Sequence, residues 1–502
     1  MTKTKMLKSF LVLMLFFGGV ADCQIAIPTE FGEKFHTACE KAFAQKLAPG
    51  FAIGIVVNDS VLYQKGFGYA DISNELAASE NSRFYIASTT KALTALAVLS
   101  LTEEGLLSLD APISRYLAEL SLRPPLDADS ITIKELLAHT HGIDDRGPVV
   151  LRTAFTGQFE KGELPTFLKY HEARKEPGEF RYGNIGYNVL GMVIEAVTGK
   201  DWKTVVEERV LTPIGMSSTT ANISTVPFEE LALPYRSTAI GYDKLYLAKA
   251  DVNMHAAGGH FSTVHDMTRF LRAMINDGKI NNESIFDSAL IQSSRVPLTS
   301  QDRSFWEYKR FAWSPGWDVC EFRGENAYTR FGSFDGYFSY LGYFPDRRIG
   351  LVAYANETDL GGELINLATS YAIDLLCGHK NADSIFATEL DNLTKVKSDY
   401  LAEYTQELAT RAERQKEPLP FPLETYAGTY QNNVLGTMDW KMLDSQLVVE
   451  MGVAQCESEI YDAEQNQLRV ELIGGGSVVS FEFSDGTATS FKMLGFTFER
   501  VK

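Results

Sequence analysis

Two short stretches carry residue types that could do chemistry together. In FYIASTTKALTAL, Phe84 to Leu96, Ser88 and Lys91 stand three residues apart where an extended run meets an apolar one. In PGEFRYGNIGYNVLG, Pro177 to Gly191, Tyr182 and Asn184 form a Y-x-N just ahead of another apolar run. A serine hydroxyl is a weak nucleophile until a neighbouring base takes its proton, and a lysine in apolar, positively charged surroundings loses its own proton more readily. Three positions along a helix, Lys91 reaches the Ser88 hydroxyl. A Tyr182 phenolate stabilised by that lysine could act as general base and later return the proton to a leaving group. The Asn184 amide could bind a substrate carbonyl and hold the lysine in place. Plainer readings exist: Ser88, Thr89 and Thr90 as helix-start residues, Lys91 snorkelling to solvent, Tyr182 as a packed aromatic. S-x-x-K recurs by chance, so the pair alone does not decide between them.

The elements around these residues set their geometry. KALTALAVLSLTEEG is apolar nearly all round and ends at Gly105, which predicts a buried central helix. Ser88 then falls in its first turn, where free N–H groups and the helix dipole favour developing negative charge. Upstream, TEFGEKFHTACEKAFAQKL predicts a helix with Thr29 at its cap, and GFAIGIVVNDSVLYQKGFGYAD a hairpin about Asn58-Asp59. The chain from 88 to 290 is mostly helical in pattern; strand-like runs return from 319 to 356, followed by the apolar helix GELINLATSYAIDLLC. Strands at both ends with helices between predict one α/β domain whose sheet joins distant segments. A charged amphipathic helix from Asp383 breaks at KEPLPFP. Short alternating strands then run to the end with turns at Gly474-Gly475-Gly476 and Asp485-Gly486. The predicted organisation is a leader over 1–23, a main domain over 24–380, a helical connector over 381–420 and a small antiparallel β domain over 421–502.

The formal charge of −18 comes without any basic block, so nucleic acid and anionic membrane surfaces are excluded as expected partners. A small-molecule or peptide substrate fits. Lys3, Lys5 and Lys8, the apolar run from Phe10 and the small residues after it read as a secretory signal too short to span a bilayer, placing the mature protein in the periplasm or outside the cell. Cleavage after Cys23 leaves Ala21 and Cys23 at the −3 and −1 positions; the alternative is a lipoprotein acylated on Cys23, against which Asp22 stands. Cys39, Cys320, Cys377 and Cys456 are too scattered for a zinc or redox motif. His139 and His141, and His255, His260 and His265, have weak metal spacing and are read as structural, as are Arg83 and Asp266. No metal or cofactor is expected. No G-x-S-x-G elbow occurs, which argues against an α/β-hydrolase.

The order of segments from about Pro49 to Leu376 resembles the serine β-lactamase and penicillin-binding family, in its branch of class C β-lactamases, D-Ala-D-Ala carboxypeptidases, D-aminopeptidases and esterases. The resemblance rests on PGFAIGIVVND, YIASTTKALTAL, TIKELLAHTHGI, RYGNIGYNVLG, AAGGHFSTVHDMTRFL and YFPDRRIGLVAYANE. It implies an antiparallel sheet flanked by helices, an all-helical subdomain, and Ser88 as the acylated nucleophile with Lys91, Tyr182 and Asn184 as partners. The family's third motif, K-T-G or H-x-G, falls on Arg330-Phe331-Gly332, and the implied oxyanion donors are the N–H groups of Ser88 and Ser333. Arg330 keeps positive charge near a substrate carboxylate but cannot exchange protons, and Phe331 removes a hydroxyl common at that place. His141 replaces the serine of H-T-S-G. The implied activity is acyl-enzyme hydrolysis of a D-amino-acid peptide, a β-lactam or a small ester; the alternative is a non-catalytic sensor that binds such a ligand. The C-terminal β domain resembles the small barrel-like appendage of some members.

Overall fold

The computed structural model describes residues 27–160, 162–174 and 178–501; the expected leader and Cys23 lie outside them. Among the described residues no helix is long and apolar enough to cross a membrane.

Helix α1 (Phe31–Phe43) opens the described chain, with Glu30 at its cap position where Thr29 was expected. Strands β1 (Gly50–Val57) and β2 (Ser60–Asp71) form the hairpin at Asn58-Asp59, where Asn58 takes φ 55°. With β3 (Leu76–Ala77) they join six strands from much later in the chain: β4 (Thr299–Phe305), β5 (Tyr308–Ser314), β6 (Trp317–Phe322), β7 (Glu325–Phe334), β8 (Tyr337–Phe344) and β9 (Ile349–Ala355). The antiparallel order is β4-β5-β6-β7-β8-β9-β1-β2-β3. β4 and β5 add two strands where the sequence pattern had shown none before 319.

Every residue of β1 is buried, because both faces of the sheet are covered. Phe51, Ile53, Ile55 and Val57 enter one core with Phe35 of α1 and Leu364 and Ile373 of α5 (Asp359–Cys377). Ala52 and Val56, pointing the other way, join a core built with α2 (Thr90–Glu103), α3 (Ile185–Thr198) and α4 (Val264–Ile275). The period of two in β1 thus splits cleanly between two layers. α2 carries buried residues on all sides and stops at Gly105, φ 73°.

Helix α6 (Ala382–Arg414) leads to nine antiparallel strands between Gly428 and Arg500, a barrel-like sheet whose first and last strands pair at its middle. Its hairpin at Asp485-Gly486 has φ 50° and 75°, the left-handed pair such tight turns require. The four cysteines at 39, 320, 377 and 456 are free thiols.

Candidate active site

Ser88 lies in a tight 3₁₀ turn, Ala87–Thr89, that runs straight into α2. Ala87 takes φ 44°, a costly conformation for a residue with a Cβ, and it presents the half-exposed Ser88 from an otherwise buried turn. The turn is fastened to the sheet from below. Ser339 of β8 donates to the Ile86 carbonyl at 2.8 Å and accepts from Thr89 at 2.8 Å. Gly332 of β7 packs against the same carbonyl so closely that a methyl group there would overlap it.

Lys91, 0% exposed, has its ammonium 3.2 Å from Ser88 Oγ, 2.8 Å from Asn184 Oδ1 and 2.7 Å from the Ala257 carbonyl. All three N–H groups are therefore used, and the Tyr182 ring lies beneath at 4.9 Å. Burial, together with the nearby Arg330 cation, holds the Lys91 pKa below the ordinary lysine value, against the opposing pull of Tyr182 and Asp145. For Tyr182, burial pushes the phenol up, but the Arg330 and Lys91 cations outweigh it and bring it below the ordinary tyrosine value. Two cations about one phenol favour its deprotonated form, which is what a base needs.

Asn184 immediately precedes α3. Its N–H and that of Ile185 both donate to Asp145 Oδ1, at 2.6 and 2.7 Å. This acid seats the Y-x-N segment at the start of the helix, a job invisible in the sequence because it comes from across the fold. The floor is His139, fully buried among Tyr182, Tyr187 and Trp313, with both ring nitrogens unpartnered and burial holding it neutral. His141 accepts from the Ile143 N–H at 3.1 Å. His255 bonds Asn188 and His265 meets Gln64, Arg83 pairs with Glu230, and Asp266 holds Ser218 and Thr219.

A cavity of about 420 Å³ opens over Ser88 and is walled by β4 to β8. Ser88, Tyr182, Arg330, Gly332 and Ser333 all line it. Arg330, 3% exposed, donates to Asp318 at 3.0 Å, to the Tyr182 hydroxyl at 2.9 Å and to the Phe331 carbonyl at 3.1 Å. These bonds make it first a partner of Tyr182, where the sequence had suggested a partner for a substrate carboxylate. Two further arginines reach the wall from the unexpected strands β4 and β5: Arg303, 3.6 Å from Asp318, and Arg310, 3.7 Å from it. The guanidinium of Arg310 lies over Phe305 and Phe331, with its buried Nε facing Asp318 beyond hydrogen-bond distance. Three guanidiniums thus share one carboxylate beside the serine, and the wall carries surplus positive charge.

The family model described as Beta-lactamase matches residues 39–373. Protein flp of Staphylococcus aureus strain MW2 is 26% identical over 361 residues, covering 70% of this chain and 68% of that protein. The octameric penicillin-binding protein homologue from Pyrococcus abyssi superposes with a TM-score of 0.60 at 22% identity, over 93% of this chain and 99% of that one. The D-amino acid amidase from Ochrobactrum anthropi SV3 gives a TM-score of 0.58 at 22% identity, over 69% of this chain and 99% of that one.

Proposed function

The chain belongs to the Beta-lactamase family, and on that premise we propose that it is a serine hydrolase working through an acyl-enzyme on Ser88. The observation that carries this reading is the Lys91 ammonium, buried and bonded at once to Ser88 and Asn184 beside a phenol drawn down by two cations. Ser88 Oγ attacks the substrate carbonyl carbon and its proton passes to the Tyr182 oxygen. The tetrahedral oxyanion is held by the N–H groups of Ser88 and Ser333, donors that act only once charge develops. Collapse breaks the bond to the leaving group, which takes the proton back from Tyr182, and an ester remains on Ser88. Water then adds to that ester by the same proton route in reverse and frees the acid.

The cavity supports a substrate class as well. A surplus of guanidinium charge beside Phe305, Phe331 and Phe338 suits an amide or ester that carries both a carboxylate and an apolar group. D-amino-acid peptides and β-lactams meet that description; a small neutral ester meets only half of it. From the leader read in residues 1–23 we further propose that the enzyme acts outside the cytoplasm, which the N-terminal peptide mass of the exported protein tests.

Intact-mass spectrometry after exposure to a fluorophosphonate and, separately, to a penicillin tests the main reading. A single adduct in the wild type that vanishes in Ser88→Ala is the expected result. Folded protein that takes up neither probe would favour the non-catalytic binding reading.

A further inference from the structure

Behind the catalytic cleft lies a lysine that the reaction above does not use. Lys249 is 6% exposed, yet its ammonium meets no carboxylate at bonding distance among the described residues. Its hydrogen bond runs to the Ala154 carbonyl at 2.6 Å. The rest of its surroundings is aromatic: the ring of Phe334 at 3.8 Å, Tyr85 at 4.9 Å and Phe155 at 5.8 Å. Burying a cation without a counter-ion is costly, and a methionine would fill the same space at less cost. Cation–π attraction to several rings repays part of that cost, and it does so only while those rings stay in place.

Two of the three rings belong to the backbone segments that form the proposed oxyanion hole. Phe334 directly follows Ser333 at the end of β7, and Tyr85 lies on the short strand Phe84–Tyr85 that leads to Ser88. The two rings also touch each other edge to face, with centroids 5.3 Å apart. Phe155 packs against Phe334 at a tilt, with centroids 5.9 Å apart. We propose that Lys249 is a positioning residue, whose ammonium clamps Tyr85 and Phe334 and so fixes the separation of the Ser88 and Ser333 N–H groups. The proposal rests on the acyl-enzyme reading of Ser88.

Burial makes the charge of Lys249 responsive to pH. Burial lowers its pKa to about 7, with Asp335 pulling the other way; Tyr85 and His255 are the other titratable side chains about it, and His255 is held neutral by burial and by Lys249 itself. A lysine with a lowered pKa is charged below that value and neutral above it, so the clamp weakens as pH rises through about 7.

The test compares wild type, Lys249→Met and Lys249→Arg for steady-state hydrolysis of an activated ester from pH 5 to 9, with fluorophosphonate labelling of Ser88 in parallel. Donors to the oxyanion act in the transition state, so kcat should fall about 10- to 100-fold in Lys249→Met with KM changed less than about 3-fold. Lys249→Arg should restore most of kcat and remove the loss of activity above about pH 7. Equal kcat in wild type and Lys249→Met, or the same alkaline limb in wild type and Lys249→Arg, would overturn the proposal. The arginine comparison decides the matter if Lys249→Met does not fold. Wild type that labels at Ser88 while the variants behave alike sinks the Lys249 role only; wild type that neither labels nor turns over sinks the acyl-enzyme reading with it.

Discussion

Tyr182 and Arg330 form a pair in which one residue sets the chemistry of the other. The Arg330 guanidinium is the foremost cation lowering the Tyr182 phenol, so its removal must raise that pKa. Arg330→Gln is therefore expected to move the rising limb of the kcat/KM profile to higher pH, because the phenolate then forms only in more alkaline solution. Tyr182→Phe, which has no oxygen to titrate, should abolish that limb and cost roughly 10²–10⁴ in rate. Stopped-flow hydrolysis across pH reads both, and an unmoved limb in Arg330→Gln would assign it to another group. Ala87 offers a test of strain at the same scale. Its left-handed φ costs roughly 1–2 kcal/mol for a residue with a Cβ, while glycine adds roughly 0.5–1 kcal/mol of unfolded-chain entropy. Ala87→Gly should consequently raise stability by at most about 1.5 kcal/mol, seen as a small increase in the urea midpoint.

The meeting of β7 and β8 with the turn that carries Ser88 governs the site at the level of elements. Gly332→Ala would drive a methyl group into the Ile86 carbonyl, and neither strand nor turn can yield without moving Ser88. A loss of about 1–3 kcal/mol is expected, as for other overpacked sites, with Ser88 labelling slowed out of proportion to the stability change. This contact also explains which parts of the site the sequence made legible. Ser88 with Lys91, and Tyr182 with Asn184, are each set by local spacing at a helix start, so their pairing could be read along the chain. Asp145, Ser339, Arg303, Arg310 and Lys249 reach the site only through sheet register and loop packing. Nothing near them in sequence announces it. The strand β4 escaped notice for a related reason: TSQDRSF is polar along most of its length, as an edge strand facing water is free to be, so the apolar run that betrays β1 is missing. The hairpin at Asn58-Asp59 and the stop at Gly105 were legible because turn and cap chemistry is local.

For the molecule as a whole, the C-terminal sheet is docked on the segment just behind the cleft. Gln158 exchanges two hydrogen bonds with Thr437, both at 2.7 Å, Arg152 donates to the Val434 carbonyl at 2.9 Å, and the Val453 N–H bonds the Thr156 carbonyl at 2.9 Å. Gln158→Ala removes the reciprocal pair and should weaken docking by about 1–3 kcal/mol. Faster proteolytic nicking at KEPLPFP, with the rest of the chain still resistant, is the expected readout; an unchanged cleavage rate would show that the remaining contacts suffice. The main sheet, for its part, closes late. Because Phe51 pairs with Ala355, the edge of β1 away from β2 stays without its partner until the last strand of that sheet has been made. At about 5–20 residues per second, synthesis leaves that edge open for tens of seconds. A nascent chain therefore carries its serine long before it has a wall to work against, and must be shielded from aggregation until β9 arrives.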